Sequence, residues 1–124
     1  MKYAHATTPG LDESTRTLSA FADPVRLRLL SLLSGDREEV CVCHLHGALE
    51  LPQPTVSRHL ASLRKHGLVV GRKEGLWVYY RLARPRSGLR RILLGCLDSC
   101  LGDPEVFARD RRRLEGLVGC CETA

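Results

Sequence analysis

The sequence predicts a mainly α-helical domain with one small β-hairpin, and three observations carry that reading. Apolar residues recur at helical spacing along most of the chain, and only the stretch from Leu68 to Leu82 is rich in β-forming residues. The length, 124 residues with 44% hydrophobic, supports one compact core but not two ordinary domains side by side.

Taken in order, Leu11, Leu18, Phe21 and Ala22 mark a first helix. Asp23-Pro24 supplies an N-cap and an N1 proline to a second, with Val25, Leu29, Leu32 and Leu33 on one face and Gly35-Asp36 at its end. Val42, Leu45, Ala48 and Leu49 space a short third helix that Pro52 closes. Pro54 is expected at N1 of a fourth helix, whose Val56, Leu60 and Leu63 fall at i, i+4 and i+7, and whose end is marked by His66-Gly67. Two short helices joined by a proline-containing turn make a helix-turn-helix pattern.

Leu68 to Arg72 and Leu76 to Leu82, joined by Lys73-Glu74-Gly75, read as a hairpin, the wing of a winged helix-turn-helix. Period two puts Val78, Tyr80 and Leu82 inward and Trp77, Tyr79 and Arg81 on the other face. Beyond Pro85, residues Leu89, Ile92, Leu93, Cys96, Leu97 and Cys100 form a continuous helical stripe. Asp103-Pro104 starts a last helix with Val106, Phe107, Leu114 and Leu117. The expected order is four helices, two strands and two helices. The two C-terminal helices are the expected interface of a homodimer, because the helix-turn-helix must keep a face for its ligand. The domain plan is a flexible arm over residues 1–10, the winged domain over 11–118, and a tail over 119–124 carrying the vicinal Cys120-Cys121 pair.

Charge narrows the partner. From Pro52 to Arg91 ten Lys/Arg face a single acid, Glu74, a local +9 in a chain whose total is +5. A field so concentrated suits a polyanion, double-stranded DNA first, since phosphate neutralisation supplies most non-specific affinity. The fourth helix presents Gln53, Thr55, Ser57, Arg58, Ser62 and Lys65 opposite its apolar residues, with His59 at the border. Such a face fits the major groove, Arg58 being suited to a guanine edge. Arg72 and Lys73 at the wing are expected on neighbouring phosphates. No run approaches a membrane span and MKYAHATTPG lacks a signal peptide's apolar stretch, so the expected location is cytoplasmic, with no membrane partner.

In that compartment thiols stay reduced, so six cysteines point to metal or thiol chemistry. The segment EVCVCHLH gathers two thiols and two imidazoles within six residues. Thiolates suit soft As(III), Sb(III), Cd(II), Pb(II) and Zn(II). Residues i and i+2 of a helix point to nearly opposite sides, so Cys41 and Cys43 are expected to grip one ion only where the third helix begins unwound or extended. The structural alternative, two small buried hydrophobes, stays open on the spacing alone.

Together EVCVCHLHGAL, LPQPTVSRHLASLRKHGLV and GRKEGLWVYYRL resemble the ArsR/SmtB family of metal-responsive repressors, specifically the arsenic-responsive branch with its ELCVCDLC motif, over about Leu18 to Leu82. The resemblance implies a homodimeric winged-helix repressor of an arsenic-resistance operon, released from its operator by As(III) or Sb(III). Carried over by position, the family's first two thiols fall on Cys41 and Cys43. The third does not carry over: His46 stands at the motif's last cysteine and His44 at its aspartate. Cys96, Cys100, Cys120, Cys121 and His46 compete for the third ligand position, His46 suiting zinc better than arsenic. The zinc-sensing branch uses Asp and His on the long C-terminal helix, which here offers Asp98 and no histidine.

The rival readings are the same fold sensing Cd(II), Pb(II) or Zn(II), and a repressor released by thiol oxidation. An enzyme is not expected, since the chain has no C-x-x-C, no glycine-rich phosphate loop and no cysteine in a catalytic setting.

Overall fold

The computed structural model describes residues 10–122, the side chains of 98 and 119–122 excepted. Along the chain run α1 (Leu11–Phe21), α2 (Pro24–Leu33), β1 (Val40–Cys41), α3 (Val42–Leu49), α4 (Gln53–Lys65), β2 (Val69–Glu74), β3 (Trp77–Leu82), α5 (Gly88–Ser99) and α6 (Pro104–Glu122). This is the expected winged helix-turn-helix, mainly helical, with one strand more than the sequence reading gave.

The helix starts follow the capping signals. Asp23 Oδ1 accepts from the backbone N–H of Val25 at 2.8 Å and of Arg26 at 3.1 Å, and Asp103 Oδ1 accepts from that of Glu105 at 3.0 Å. Ser87 caps α5 by accepting from the Arg90 N–H at 3.3 Å. The fourth helix corrects the expectation by one residue: Gln53 opens it, Pro52 is the extended N-cap, and Pro54 sits one place further in. Both prolines are tolerated because first-turn N–H groups have no intrahelical partner to lose.

The hairpin is part of a three-stranded antiparallel sheet in the order β1-β3-β2. Val40 pairs with Tyr80 and Cys41 with Tyr79 on one edge of β3, while Val69 to Glu74 pair with Leu82 to Trp77 on the other. One core holds the domain, with Leu29, Leu30, Leu45, Val56, Leu60 and Leu63 fully buried. In β3 Tyr80 is buried and Val78 and Leu82 half-buried, while Trp77 and Arg81 are exposed, as period two requires; Tyr79, on the outer face, is nonetheless half-buried.

Helix α6 departs from expectation twice. Its apolar face, with Phe107, Leu114 and Val118 buried, packs on α2 and α3, so much of it is taken up within its own chain, while Leu117 stays partly exposed. The approach to α3 is close: a Cβ on Gly47 would lie 2.8 Å from Leu117 Cδ1. The helix also runs on to Glu122, which puts Cys120 and Cys121 in its last turn and not in a polar tail. The arm expected over residues 1–10 lies, but for Gly10, outside the described residues, as do residues 123–124. Uncovered apolar groups lie on α1 and α5, where Leu11 is 84% exposed and Leu18 and Ile92 about half, and at the hairpin, where Leu76 and Trp77 are exposed.

A buried ion pair fastens α6. The Arg28 guanidinium on α2 donates to both carboxylate oxygens of Asp110, at 2.8 and 2.9 Å, and to the Leu49 carbonyl at 3.1 Å. Asp110 is 1% exposed, and its hydrogen bonds raise the Arg28 pKa further above its ordinary value. One side chain thus joins α2, α6 and the C-terminal end of α3.

Candidate thiol site and basic face

Cys41 is the last residue of β1 and the N-cap of α3, with φ −67° and ψ 142°, and Cys43 is the second residue of that helix. The pairing of β1 with β3 holds Cys41 extended and buried opposite Tyr79. The two side chains therefore turn to the same side, and their sulfurs lie 2.9 Å apart. The extended start of α3 expected from the i, i+2 spacing is supplied by the strand, which places Cys41 outside the helix. A soft ion with affinity for thiolates meets two donors here with little rearrangement.

The sulfurs open on a cavity of about 400 Å³ walled by Val40, Trp77, Tyr79 and Val118, with Arg37, Glu39 and His44 at its polar side. Glu39, two residues before Cys41, is tied to the wing: both its carboxylate oxygens accept from the Arg72 guanidinium, which also donates to Glu74 at 2.7 Å. The same guanidinium lies 4.7 Å above the Tyr79 ring. Arg72 holds the Glu39 carboxyl below the usual carboxylate range, and the two carboxylates raise the Arg72 pKa in turn. Arg72 is thus a strut between the thiol segment and the wing, and its charge is already shared between two carboxylates. Lys73 is exposed beside it.

Among the described residues, no three Cys, His, Asp or Glu side chains gather as a metal-binding group, so His46, Cys96 and Cys100 are not brought to Cys41 and Cys43. The side chains of Cys120 and Cys121 lie outside the described set. Cys96 and Cys100 form a second pair at the end of α5, half-buried and exposed, in which the Cys100 thiol, hydrogen-bonded to Cys96, pushes the Cys96 pKa up.

On α4 the polar face is as expected: Gln53, Arg58 and Lys65 are exposed, and Thr55, Ser57 and Ser62 half-buried. Gln53 Nε2 donates to Ser57 Oγ at 3.1 Å, within the face itself. His59 turns to α2, its Nδ1 3.4 Å from Arg26 and 3.8 Å from Asp23, which is the helix-border role and not a groove-facing one. Sequence reasoning missed Glu39, Trp77 and Val118 as neighbours of the thiols; the signal available was period two in β3, which already put Trp77 and Tyr79 on one face.

The pattern of the bacterial regulatory protein arsR family matches residues 23–70. The arsenic resistance transcriptional regulator ArsR1 of Pseudomonas putida is 54% identical over 61 residues, 49% of this chain and 47% of that protein. The transcriptional repressor SmtB homolog of Synechocystis is 49% identical over 65 residues, 52% and 48% of the two chains. The chain thus spans about half the length of these curated relatives. Among solved structures, the homodimeric winged helix-turn-helix DNA-binding domain Mb0332 from Mycobacterium bovis, described as a possible ArsR-family transcriptional regulator, aligns with a TM-score of 0.59 at 34% identity, covering 71% of this chain and 77% of that one.

Proposed function

We propose, because this chain belongs to the arsR family of bacterial regulatory proteins, that it is a homodimeric transcriptional repressor whose hold on operator DNA is released when Cys41 and Cys43 bind As(III) or Sb(III). The observation that carries the inducer assignment is the 2.9 Å approach of the two sulfurs at the start of α3, the helix packed against α4. Names among the relatives agree with it, ArsR1 of Pseudomonas putida being an arsenic resistance regulator.

In this reading α4 enters the major groove, with Arg58, Thr55 and Ser57 toward bases and phosphates and Lys65 and Lys73 on the backbone. Dimerisation covers Leu11, Leu18 and Ile92, apolar groups that a lone chain leaves in water. Each bound inducer bridges a residue of the sheet to one of α3 and so fixes the angle between them. It releases DNA to the extent that it favours an angle other than the DNA-bound one. A coupling of about 1–3 kcal/mol is the usual scale.

A second reading, induction by Cd(II), Pb(II) or Zn(II), is favoured by the SmtB homolog among the relatives. Fluorescence anisotropy of a labelled fragment from the chain's own upstream DNA separates the two, with reduced protein titrated in parallel with arsenite, antimonite, Cd(II), Zn(II) and peroxide. Release at the lowest concentration by arsenite or antimonite is the expected result. Release by a divalent cation alone transfers the site to the second reading, and release by peroxide alone to thiol oxidation.

A further inference from the structure

We propose that the cavity between α1, the end of α4 and the start of α5 binds a small phosphate-type oxyanion, held by Arg90 together with Arg16 and Lys65. The site goes beyond the metalloid-sensing reading and uses none of the cysteines.

The cavity encloses about 300 Å³ and is lined by Glu13, Arg16, Thr17, Lys65, His66 and Arg90, three cations against one acid. Among the described residues Arg16 and Lys65 make no ion pair, and Glu13 comes no nearer to Arg90 Nη2 than 4.0 Å. Arg90 is only 8% exposed, and its buried Nε has no hydrogen-bond partner among the described residues. Nη1 donates to the Gly67 carbonyl at 3.3 Å, which leaves the edge formed by Nε and Nη2 for a ligand. Such an edge takes two oxygens of a tetrahedral oxyanion at once. Gly67, at φ +74°, makes the seat, because a Cβ there would lie 2.9 Å from Nη1.

A buried guanidinium in this place calls for an anion. Arg90 is the third residue of α5, whose first turn carries no acid, so its charge adds to the positive end of that helix. The negative end of α4 lies beside it but is already answered by Arg64 and Lys65 in its own last turn. Position favours a free anion over a DNA phosphate. In the reading above α4 meets bases through its N-terminal residues, and its 13 residues put the cavity about 20 Å along the helix from Gln53. On α1, helical spacing turns Glu13, Arg16 and Thr17 away from Leu11 and Leu18, so the dimer face proposed above leaves the cavity open.

Inorganic phosphate is the probe, titrated into the full chain under reducing conditions, with NaCl holding the ionic strength constant. Binding is read by calorimetry and by the thermal unfolding midpoint. Saturation at one phosphate per chain is expected, with the midpoint raised by about 4–8 °C at about ten times the half-saturation concentration. Arg16→Ala, an exposed substitution on α1, should raise that concentration about tenfold, the scale of one charged hydrogen bond. Arg90→Lys keeps the charge, loses the fork and should weaken binding at least as much. Arg91→Ala, exposed in the same turn of α5 but outside the cavity lining, should leave binding unchanged. The absence of a saturable response to phosphate overturns the inference, as does binding unaltered in both Arg16→Ala and Arg90→Lys. Equal weakening by Arg16→Ala and Arg91→Ala also overturns it, since a diffuse field then attracts the anion. A DNA phosphate in the cavity is the remaining outcome against it: in phosphate-free buffer Arg16→Ala would then lower operator affinity and reduce the salt slope by about 1, while free phosphate gave no saturable shift. None of these results bears on induction through Cys41 and Cys43, so the two readings fail separately.

Discussion

The chain carries two close pairs of cysteines, and they differ in what the backbone does around them. Cys96 and Cys100 are four apart, Cys96 in the last turn of α5 and Cys100 its C-cap, a spacing that brings side chains together at a helix end. Cys41 and Cys43 are two apart, a spacing that separates them on any helix, and they meet because β1 ends between them. The first pair lies at the half-buried to exposed end of α5, with neither residue in the sheet. The second spans a junction between the sheet and the helix that supports α4, next to a strut from Glu39 through Arg72 to the wing. Equal thiol chemistry is therefore expected to have unequal consequence, decided by whether the two sulfurs join the sheet to the helix that supports α4.

The largest effect expected from breaking that contrast is in ligand binding. Cys41→Ser/Cys43→Ser should lower arsenite affinity by roughly a hundredfold or more in equilibrium dialysis, since neither hydroxyl replaces a thiolate, whereas Cys96→Ser/Cys100→Ser should leave it near wild type. Next comes the anchorage of the sensing junction. Asp110→Ala leaves the half-buried Arg28 without its carboxylate and should cost about 1–3 kcal/mol in urea denaturation. A loss below about 1 kcal/mol, the range of an exposed pair, would mean that α6 and α3 are held by apolar packing alone.

The reading face comes third. Arg58→Ala should weaken operator binding by about 1–3 kcal/mol and relax specificity at one base position, with arsenite binding unchanged. Lys73→Ala should weaken binding about equally on all sequences and reduce the salt slope by about 1. Smallest is the titration of the α5 pair. Cys100 raises the Cys96 pKa, so the Cys96 thiolate appears only at higher pH than in an ordinary thiol. Its iodoacetamide rate should therefore rise at a pH above about 8.5, the unperturbed midpoint, and Cys100→Ala should move that rise to lower pH.

Periodicity and capping made the helices and the hairpin legible, because Asp23-Pro24, Asp103-Pro104 and the turn glycine Gly75 act through local chemistry, although Lys73 and Glu74, expected in the connection, pair within the hairpin and leave Gly75-Leu76 as the turn. The two thiols were legible as residues, but their meeting was not. A two-residue strand has no period to detect, and β1 exists only because Val40 and Cys41 find Tyr80 and Tyr79 about forty residues later. The Arg28–Asp110 pair is hidden for the same reason, its partners lying on helices 82 positions apart in sequence. The role of Arg72 was half legible: its charge pointed to phosphate, while Glu39, packed beside it only in the fold, makes it a strut. The use of α6 within the chain was obscured because an amphipathic stripe does not say whether it faces its own domain or another copy.

The central claim is that one pair senses and the other does not. Its most direct test is anisotropy of a labelled upstream DNA fragment under increasing arsenite, with wild type, Cys41→Ser/Cys43→Ser and Cys96→Ser/Cys100→Ser run side by side. The account predicts that all three bind DNA alike and that arsenite releases the wild type and the α5 variant but not the α3 variant. Release of the Cys41→Ser/Cys43→Ser protein at wild-type arsenite concentrations would contradict it.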